Sequence, residues 1–417
     1  MKTKAVRLYG EMDLRLDEFN LPNLGEDEIL LKIQSDSLCM SSYKAAVQGN
    51  RHKRVPENIA EHPIIIGHEF CGTIVQVGRK WQHQYRENEN VTIQPALQET
   101  MLSAGYSFEH IGGEATYVII PDLYLSAGCL LKFDGNAFFY GSLAEPMSCI
   151  IGAFHAQYHT KRMSYAHQMG IVPGGKMAIL GGAGPMGLGA IDYAVNGPVQ
   201  PSLLVVTDVD RARLERAERI YSPDKAAQKG VRLIYINSSE KNAIDQLHTL
   251  DGRQGYDDVF CMTPIQAVVE QADALLGWDG CLNFFAGPID QHFSVPLNFY
   301  NVHYSSTHIV GTSGGSTQDM REALALMASY QINPAGMVTH IGGLDSAAQA
   351  TLELPKIPGG KKLIYTHLKM PLTAIEDFKR LGQDNPLFSE LANITEKNDG
   401  LWCAEAEHYL LAHGTQI

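Results

Sequence analysis

The chain has 417 residues, 45% of them apolar, and carries a net charge of −13 with a pI near 5.6. That length supports two cores side by side, and the negative charge repels polyanions, so nucleic acid and anionic membranes are excluded as partners and a small molecule is expected. Seven cysteines, at positions 39, 71, 129, 149, 261, 281 and 403, form no Cys-x-x-Cys pair and predict no disulfides.

The amino terminus, MKTKAVRLYGEMDL, alternates polar and apolar residues and reads as a first strand rather than a signal peptide. No stretch approaches the ~18 to 20 uninterrupted apolar residues of a membrane span, so a cytoplasmic protein is expected. Residues 1–150 are rich in short strands and Gly and Pro turns, with no long helical period, and predict a β-rich domain. From 176 to 312 short β-rich runs alternate with helical periods. Strands are predicted at 176–180, 203–208, 233–236, 257–261, 281–285 and 308–311, with helices at 211–220 and 265–276 between them. Six such strands complete a doubly wound α/β sheet. A helix at 318–330 follows, and GGKKLIYT returns the chain to strand. The last segment ends in the helical-looking LWCAEAEHYLLAH, whose role is not readable.

At the end of the first predicted strand of that sheet, ILGGAGPMGLGAIDYA places Gly182, Gly184 and Gly187 as Gly-x-Gly-x-x-Gly at a strand-to-helix turn, with Pro185 and Met186 between them. Gly182 permits the tight turn, Gly184 lets backbone approach a pyrophosphate, and Gly187 allows close helix packing. Asp208 ends LLVVTD, where a carboxylate grips the adenosine ribose hydroxyls and repels a 2′-phosphate. NAD(H) is therefore expected over NADP(H), softened by Arg211 and Arg213, which otherwise read as helix-surface cations. Lys361 or Lys362 is a cation for the pyrophosphate or one of a pair of solvated lysines at a strand entrance.

HPIIIGHEFCGTIVQVG sets His68 beside Glu69 at a turn between apolar strands, either as a hydrogen-bonded core pair or as metal ligands. Cys39 in SLCMSSYK adds sulfur, and one S, one N and one O donor form a zinc set that leaves a position open for substrate. Spacing alone does not force them together. Glu145, ahead of Pro146, is a further carboxylate or a charge favoured at a helix start.

The order of Cys39, then Gly67-His68-Glu69, then Glu145-Pro146, then the glycine fingerprint resembles the zinc-containing medium-chain alcohol and polyol dehydrogenase family over residues 1–366. The resemblance implies a discontinuous GroES-like catalytic domain, at 1–155 and 313–417 including a C-terminal extension, and a Rossmann NAD(P)-binding domain at 156–312. It implies zinc ligation by Cys39, His68 and Glu69, with Glu145 exchanging with Glu69, and a proton relay beginning at Ser41. It also implies a homodimer or homotetramer. Segments such as HKRVP, GSLAEPMSCIIGAF and VHYSSTHIVGTSGG are similar to the ketose-phosphate reductases of that family. Lys44, His52, Lys53 and Arg54 are then candidates for the substrate phosphate, against the plain reading of a solvated basic loop. Two departures stand out. Residues 88–113 contain no cysteine, so only the one catalytic zinc is expected and no structural zinc, and Ser42 replaces the Asp that many relatives carry. Two other activities fit the same motifs: a dehydrogenase of an unphosphorylated polyol or sugar acid, and a non-catalytic nucleotide-binding redox sensor.

Overall fold

The computed structural model describes residues 1–97 and 100–417. Two units separate, Met1–Glu145 with Val338–Ile417, and Pro146–Met337. The seams expected at 155/156 and 312/313 thus fall inside the second unit. The reason is the helix Thr317–Ala328, which stays with that unit: His155 Nδ1 meets Asp319 Oδ1 at 2.7 Å, and the Tyr193 hydroxyl donates to Glu322 at 2.6 Å.

The first unit opens with a hairpin of β1 (Lys2–Gly10) and β2 (Asp13–Asn20). Next comes β3 (Ile29–Leu38), whose sequence ILLKIQSDSL is buried at eight of its ten positions, as befits a strand covered on both faces. Directly after it α1 (Met40–Gln48) begins with Cys39 as its N-cap residue. This short helix lies in the segment expected to hold no long helical period. It is only nine residues long and buries just Ser42, Ala45 and Ala46, too little apolar pattern to register as a period. The chain continues through β4 (Ile64–Ile65), β5 (Phe70–Val77), β6 (Asn90–Ile93), β7 (Tyr117–Ile120) and β8 (Leu130–Lys132), and α2 (Ala144–Ala156) starts at the seam.

In the second unit a short hairpin of β9 (Tyr158–Thr160) and β10 (His167–Met169) precedes the sheet. Six parallel strands follow: β11 (Lys176–Leu180), β12 (Leu203–Asp208), β13 (Arg232–Asn237), β14 (Tyr256–Cys261), β15 (Leu276–Phe284) and β16 (His308–Gly311). They lie in the order β13-β12-β11-β14-β15-β16, the doubly wound arrangement. Their interior, including Ala178, Leu180, Val205, Val259 and Leu282, is fully shielded from water. Helices α3 (Pro185–Asn196) and α4 (Arg211–Ile220) follow β11 and β12.

The chain then returns to the first unit. β17 (Val338–Gly343), β18 (Lys361–Tyr365) and β19 (Thr373–Ala374) extend its sheet to β19-β17-β18-β3-β5-β6-β8, with β7 also on β3. The C-terminal extension now has a visible role. Trp402 is wholly buried and donates to the Tyr365 hydroxyl at 2.7 Å. The Glu407 carboxylate accepts that hydroxyl's proton at 2.7 Å, the Phe139 N–H at 2.9 Å and the Phe138 N–H, so it caps the helix Phe138–Ser142. Among the described residues, no helix is long and apolar enough to cross a membrane.

Candidate active site

Three side chains of the first unit converge on one buried point. Cys39 leaves the end of β3, and His68 and Glu69 sit on the turn that enters β5. That turn depends on Gly67, whose φ of +90° disfavours a side chain; a Cβ there would also lie 2.5 Å from Asp36 Oδ2. Asp36 in turn accepts the Glu69 N–H at 3.2 Å, and the Ser37 N–H donates to the Glu69 carbonyl at 3.0 Å. The backbone therefore presents both side chains to Cys39. The sulfur, imidazole nitrogen and carboxylate oxygen of Cys39, His68 and Glu69 lie within 4.8 Å of one another.

The electrostatics fit a bound cation. Burial pushes the Cys39 thiol up to about 12 and the His68 imidazole down to about 4, so the histidine is neutral with a free lone pair, while the thiol needs a nearby positive charge to ionise. One such charge is present. Lys361, on β18, donates to both Glu69 oxygens at 2.5 and 2.6 Å, and both side chains are almost fully buried. Burial works against that ammonium, but the charges of Cys39 and Glu69 outweigh it and raise its pKa. An S, N, O donor set with one carboxylate already balanced suits zinc. The reading of Lys361 as a solvated or phosphate-binding cation is thus corrected: an apolar strand carries it inward to the carboxylate.

Sequence reasoning also passed over Tyr106. Gly105, with φ +76°, runs so close to the His68 turn that a Cβ would stand 2.2 Å from the Gly67 carbonyl. This close approach brings the Tyr106 hydroxyl to 3.1 and 3.3 Å from the two His68 nitrogens. Ser42 Oγ lies 3.3 Å from His68 Nδ1, so the serine in place of the usual Asp still reaches the imidazole. Ser41 Oγ is 3.7 Å from the Cys39 sulfur and hydrogen-bonds Tyr106. A lone tyrosine in a glycine-rich loop carried no spacing signal.

Glu145 stands in the first turn of α2, where its charge reaches Cys39, Tyr106 and Lys361, though it is not one of the three clustered groups. Of the phosphate candidates, His52 stacks on Tyr106 with ring centroids 5.6 Å apart, and the Arg54 guanidinium lies 5.7 Å from the same ring. Lys44 is half-buried near Cys39, its pKa lowered by burial and partly restored by the thiol's charge. Lys53 is exposed and stays outside this group.

In the second unit the glycine turn joins β11 to α3. A Cβ on Gly187 would lie 2.1 Å from the Gly182 carbonyl, which fixes the tight packing, while Gly184 has open space before it. Gly184 is the N-cap residue of α3, and Pro185 and Met186 form the helix's first turn, where unpaired N–H groups attract phosphate. Asp208, at the end of β12, receives the Ala183 N–H at 3.1 Å on one oxygen and the Asp210 N–H at 3.1 Å on the other. It is thereby tied to the glycine loop. Arg213 is engaged with Asp210 at 3.5 Å, and Arg211 with Glu215 at 3.2 Å, both on the exposed helix face. Lys362 lies in the first unit, buried, with its ammonium donating to the Pro358 and Gly360 carbonyls at 3.0 and 2.5 Å. Those carbonyls, rather than solvent, hold it.

Comparisons with known proteins agree with both halves. Residues 25–128 match the alcohol dehydrogenase GroES-like domain, and residues 185–329 match the zinc-binding dehydrogenase domain. The chain is 54% identical over 412 residues to mannitol-1-phosphate 5-dehydrogenase of Aliivibrio fischeri, covering 98% of this chain and 97% of that one. It is 50% identical over 417 residues to L-sorbose 1-phosphate reductase of Klebsiella pneumoniae, covering 100% and 98%. The crystal structure of 2R,3R-butanediol dehydrogenase from Bacillus subtilis shares the fold at a TM-score of 0.69 and 19% identity, over 87% of this chain and 99% of that one. The glycine turn after β11 of a doubly wound sheet, the Cys39, His68 and Glu69 cluster and these matches place the chain in the zinc-containing medium-chain dehydrogenase family, whose members are nicotinamide-linked alcohol and polyol oxidoreductases.

Proposed function

We propose that the protein is a zinc-dependent reductase of a ketose phosphate, acting on L-sorbose 1-phosphate to give D-glucitol 6-phosphate with NADH, and running the reverse oxidation when polyol phosphate is in excess. The supporting observation is the Cys39, His68 and Glu69 cluster, set beside the cationic Arg54 and Lys44 and the neutral imidazole of His52, in a chain half identical to two enzymes named for sugar phosphates. A mannitol phosphate is the nearest competing substrate for the same reason.

In this reading Cys39 and His68 hold one zinc with a carboxylate as third ligand. Glu69, which lies in the cluster with its charge balanced by Lys361, is favoured as that third ligand, and Glu145, whose charge reaches Cys39, is the alternative that exchanges with it. When bound, the zinc supplies Lewis acidity to the substrate oxygen and the nicotinamide supplies the hydride. The chain's own residues do the rest. Ser41, bonded to Tyr106, hands a proton to the developing alkoxide and takes it back in the reverse direction. His52, Arg54 and Lys44 orient the phosphate, so the reacting carbon lies at a fixed distance from it. The loop from Gly182 to Gly187 and the start of α3 hold the pyrophosphate, and Asp208 holds the ribose, favouring NAD(H). The expected setting is the cytoplasm, and the active form a homodimer or homotetramer. A steady-state substrate series with NADH and NADPH tests the reading: kcat/KM for ketose phosphates should exceed that for the free sugars, and equal values would leave an unphosphorylated polyol as the substrate.

A further inference from the structure

Tyr106 is a buried side chain of the first unit on which the metal cluster and the basic turn at 52–55 both converge. Its hydroxyl stands 3.1 and 3.3 Å from the two His68 nitrogens and hydrogen-bonds Ser41, while its ring packs against His52 and Arg54. A residue that only filled the core would need none of these contacts, and a phenylalanine would fill it without a hydroxyl to desolvate.

The turn at 52–55 lies outside any helix or strand and is closed by the Val55 N–H on the His52 carbonyl at 2.9 Å. Its hold on the rest of the unit comes from the segment 103–107. Ser107 Oγ donates to the Arg54 carbonyl at 2.7 Å and accepts the Ser103 N–H at 3.0 Å. The Ala104 N–H meets the Tyr124 hydroxyl at 2.6 Å, and that hydroxyl donates to the Pro95 carbonyl at 2.8 Å. Tyr124 is wholly buried, so the turn is fastened to a segment that is itself fastened to the core.

The side chains on the turn are fixed as well. The His52 and Tyr106 rings are stacked, 13° from parallel, and the Arg54 guanidinium at 5.7 Å is within reach of a cation–π attraction to the Tyr106 ring. The Arg54 N–H donates to His52 Nδ1 at 3.3 Å. Burial, and then the charges of Arg54, Lys53 and Lys44, push the His52 imidazole down to about 4, so it is neutral and its single ring proton sits on Nε2. The turn thus presents one imidazole N–H donor and one guanidinium held against a ring, a pair that suits a phosphate.

We propose that Tyr106 is the positioning residue that couples recognition of the substrate's phosphate to the metal centre: its ring, with the Ser107 hydroxyl, holds His52 and Arg54 for the phosphate, while its own hydroxyl holds His68 and Ser41 at the reacting end. This role rests on the ketose-phosphate reading above. A single rigid side chain then sets the phosphate and the reacting oxygen relative to each other.

Two substitutions separate the ring from the hydroxyl. Tyr106→Phe keeps the ring, and Tyr106→Leu keeps only apolar bulk. Inorganic phosphate titrated calorimetrically into the metal-free protein should bind the wild type and Tyr106→Phe alike and Tyr106→Leu about 10-fold more weakly. The preference in kcat/KM for ketose phosphate over free ketose should be kept by Tyr106→Phe and fall about 10-fold in Tyr106→Leu. Tyr106→Phe should instead lower kcat for both substrates by the same factor and weaken zinc about 10-fold in competition with a chelator. Ser107→Ala frees the turn without opening the core and should also weaken phosphate, which decides the matter if the leucine variant folds poorly. Phosphate affinity unchanged in Tyr106→Leu, or in Ser107→Ala where the former does not fold, overturns the coupling and leaves the ketose-phosphate reading standing, as does a Tyr106→Phe protein with wild-type zinc affinity. A wild type that neither binds phosphate nor prefers the ester overturns that reading and the coupling with it.

Discussion

Lys361 changes what the metal cluster means. A buried carboxylate bonded twice to a buried ammonium is a closed pair, and removing one member leaves an uncompensated charge in a dry interior. Lys361→Met should therefore destabilise the metal-free protein by ~3 to 5 kcal/mol, and the zinc-loaded protein by clearly less, since the ion supplies the missing positive charge. Thermal melting with and without chelator reads the difference; equal losses in both states would mean that Glu69 and the ion do not share a charge environment. Cys39→Ala and His68→Ala should each lose bound zinc together with turnover, and full activity in either variant would remove those residues from the metal site. At the nucleotide end, Asp208→Ser should erode the preference for NADH over NADPH by about 10-fold in kcat/KM, because the carboxylate that grips the ribose and repels a 2′-phosphate is gone. An unchanged ratio would assign the preference to some other group.

Elements differ in how openly the sequence declares them, and packing explains the difference. Strands β11 and β12 are continuous apolar runs covered on both faces, so their bounds at 176–180 and 203–208 coincide with the prediction. β15 starts at Leu276 rather than 281, because a register shift between Tyr256 and Asp258 lets Leu276 pair with Tyr256 ahead of the run from Cys281. The glycine turn was legible for a local reason: tight turns admit few residue types, and Gly182 and Gly187 stand where a Cβ would collide. Convergence of Cys39 with His68 was not legible, since the register of β3 against β5 brings it about across 29 residues. Lys361 and Tyr106 were hidden for the same reason, each delivered by a non-local contact.

Helix α3 holds a further consequence in Asp192, wholly buried, which accepts the Asn333 N–H at 2.6 Å and the Asn196 side-chain amide at 2.8 Å. Burial raises its carboxyl to about 7, against an unfolded value of about 4. The folded state thus holds the proton more tightly. Its stabilising contribution is complete below about pH 4 and is lost as pH rises through 7. Asp192→Asn should accordingly remove part of the fall in melting temperature between pH 5 and pH 8, by a few °C, on the order of 1 to 2 kcal/mol. Parallel pH profiles for the two proteins would place the carboxylate's proton elsewhere.

Over the whole molecule, two differently built units divide the chemistry. One contributes a buried donor cluster with a cationic margin, the other a glycine turn with the Asp208 carboxylate tied to it. Composition pointed to a small-molecule partner and the ordered motifs to this family, but neither carries the packing of His52 and Arg54 onto Tyr106, which depends on non-local contacts. The most direct measurement is NADH oxidation by the purified protein with L-sorbose 1-phosphate against L-sorbose, before and after removal and restoration of zinc. The account predicts turnover of the phosphate ester far above that of the free sugar, abolished by removing the metal and recovered on returning it. Turnover that ignores either the phosphate or the zinc would contradict it.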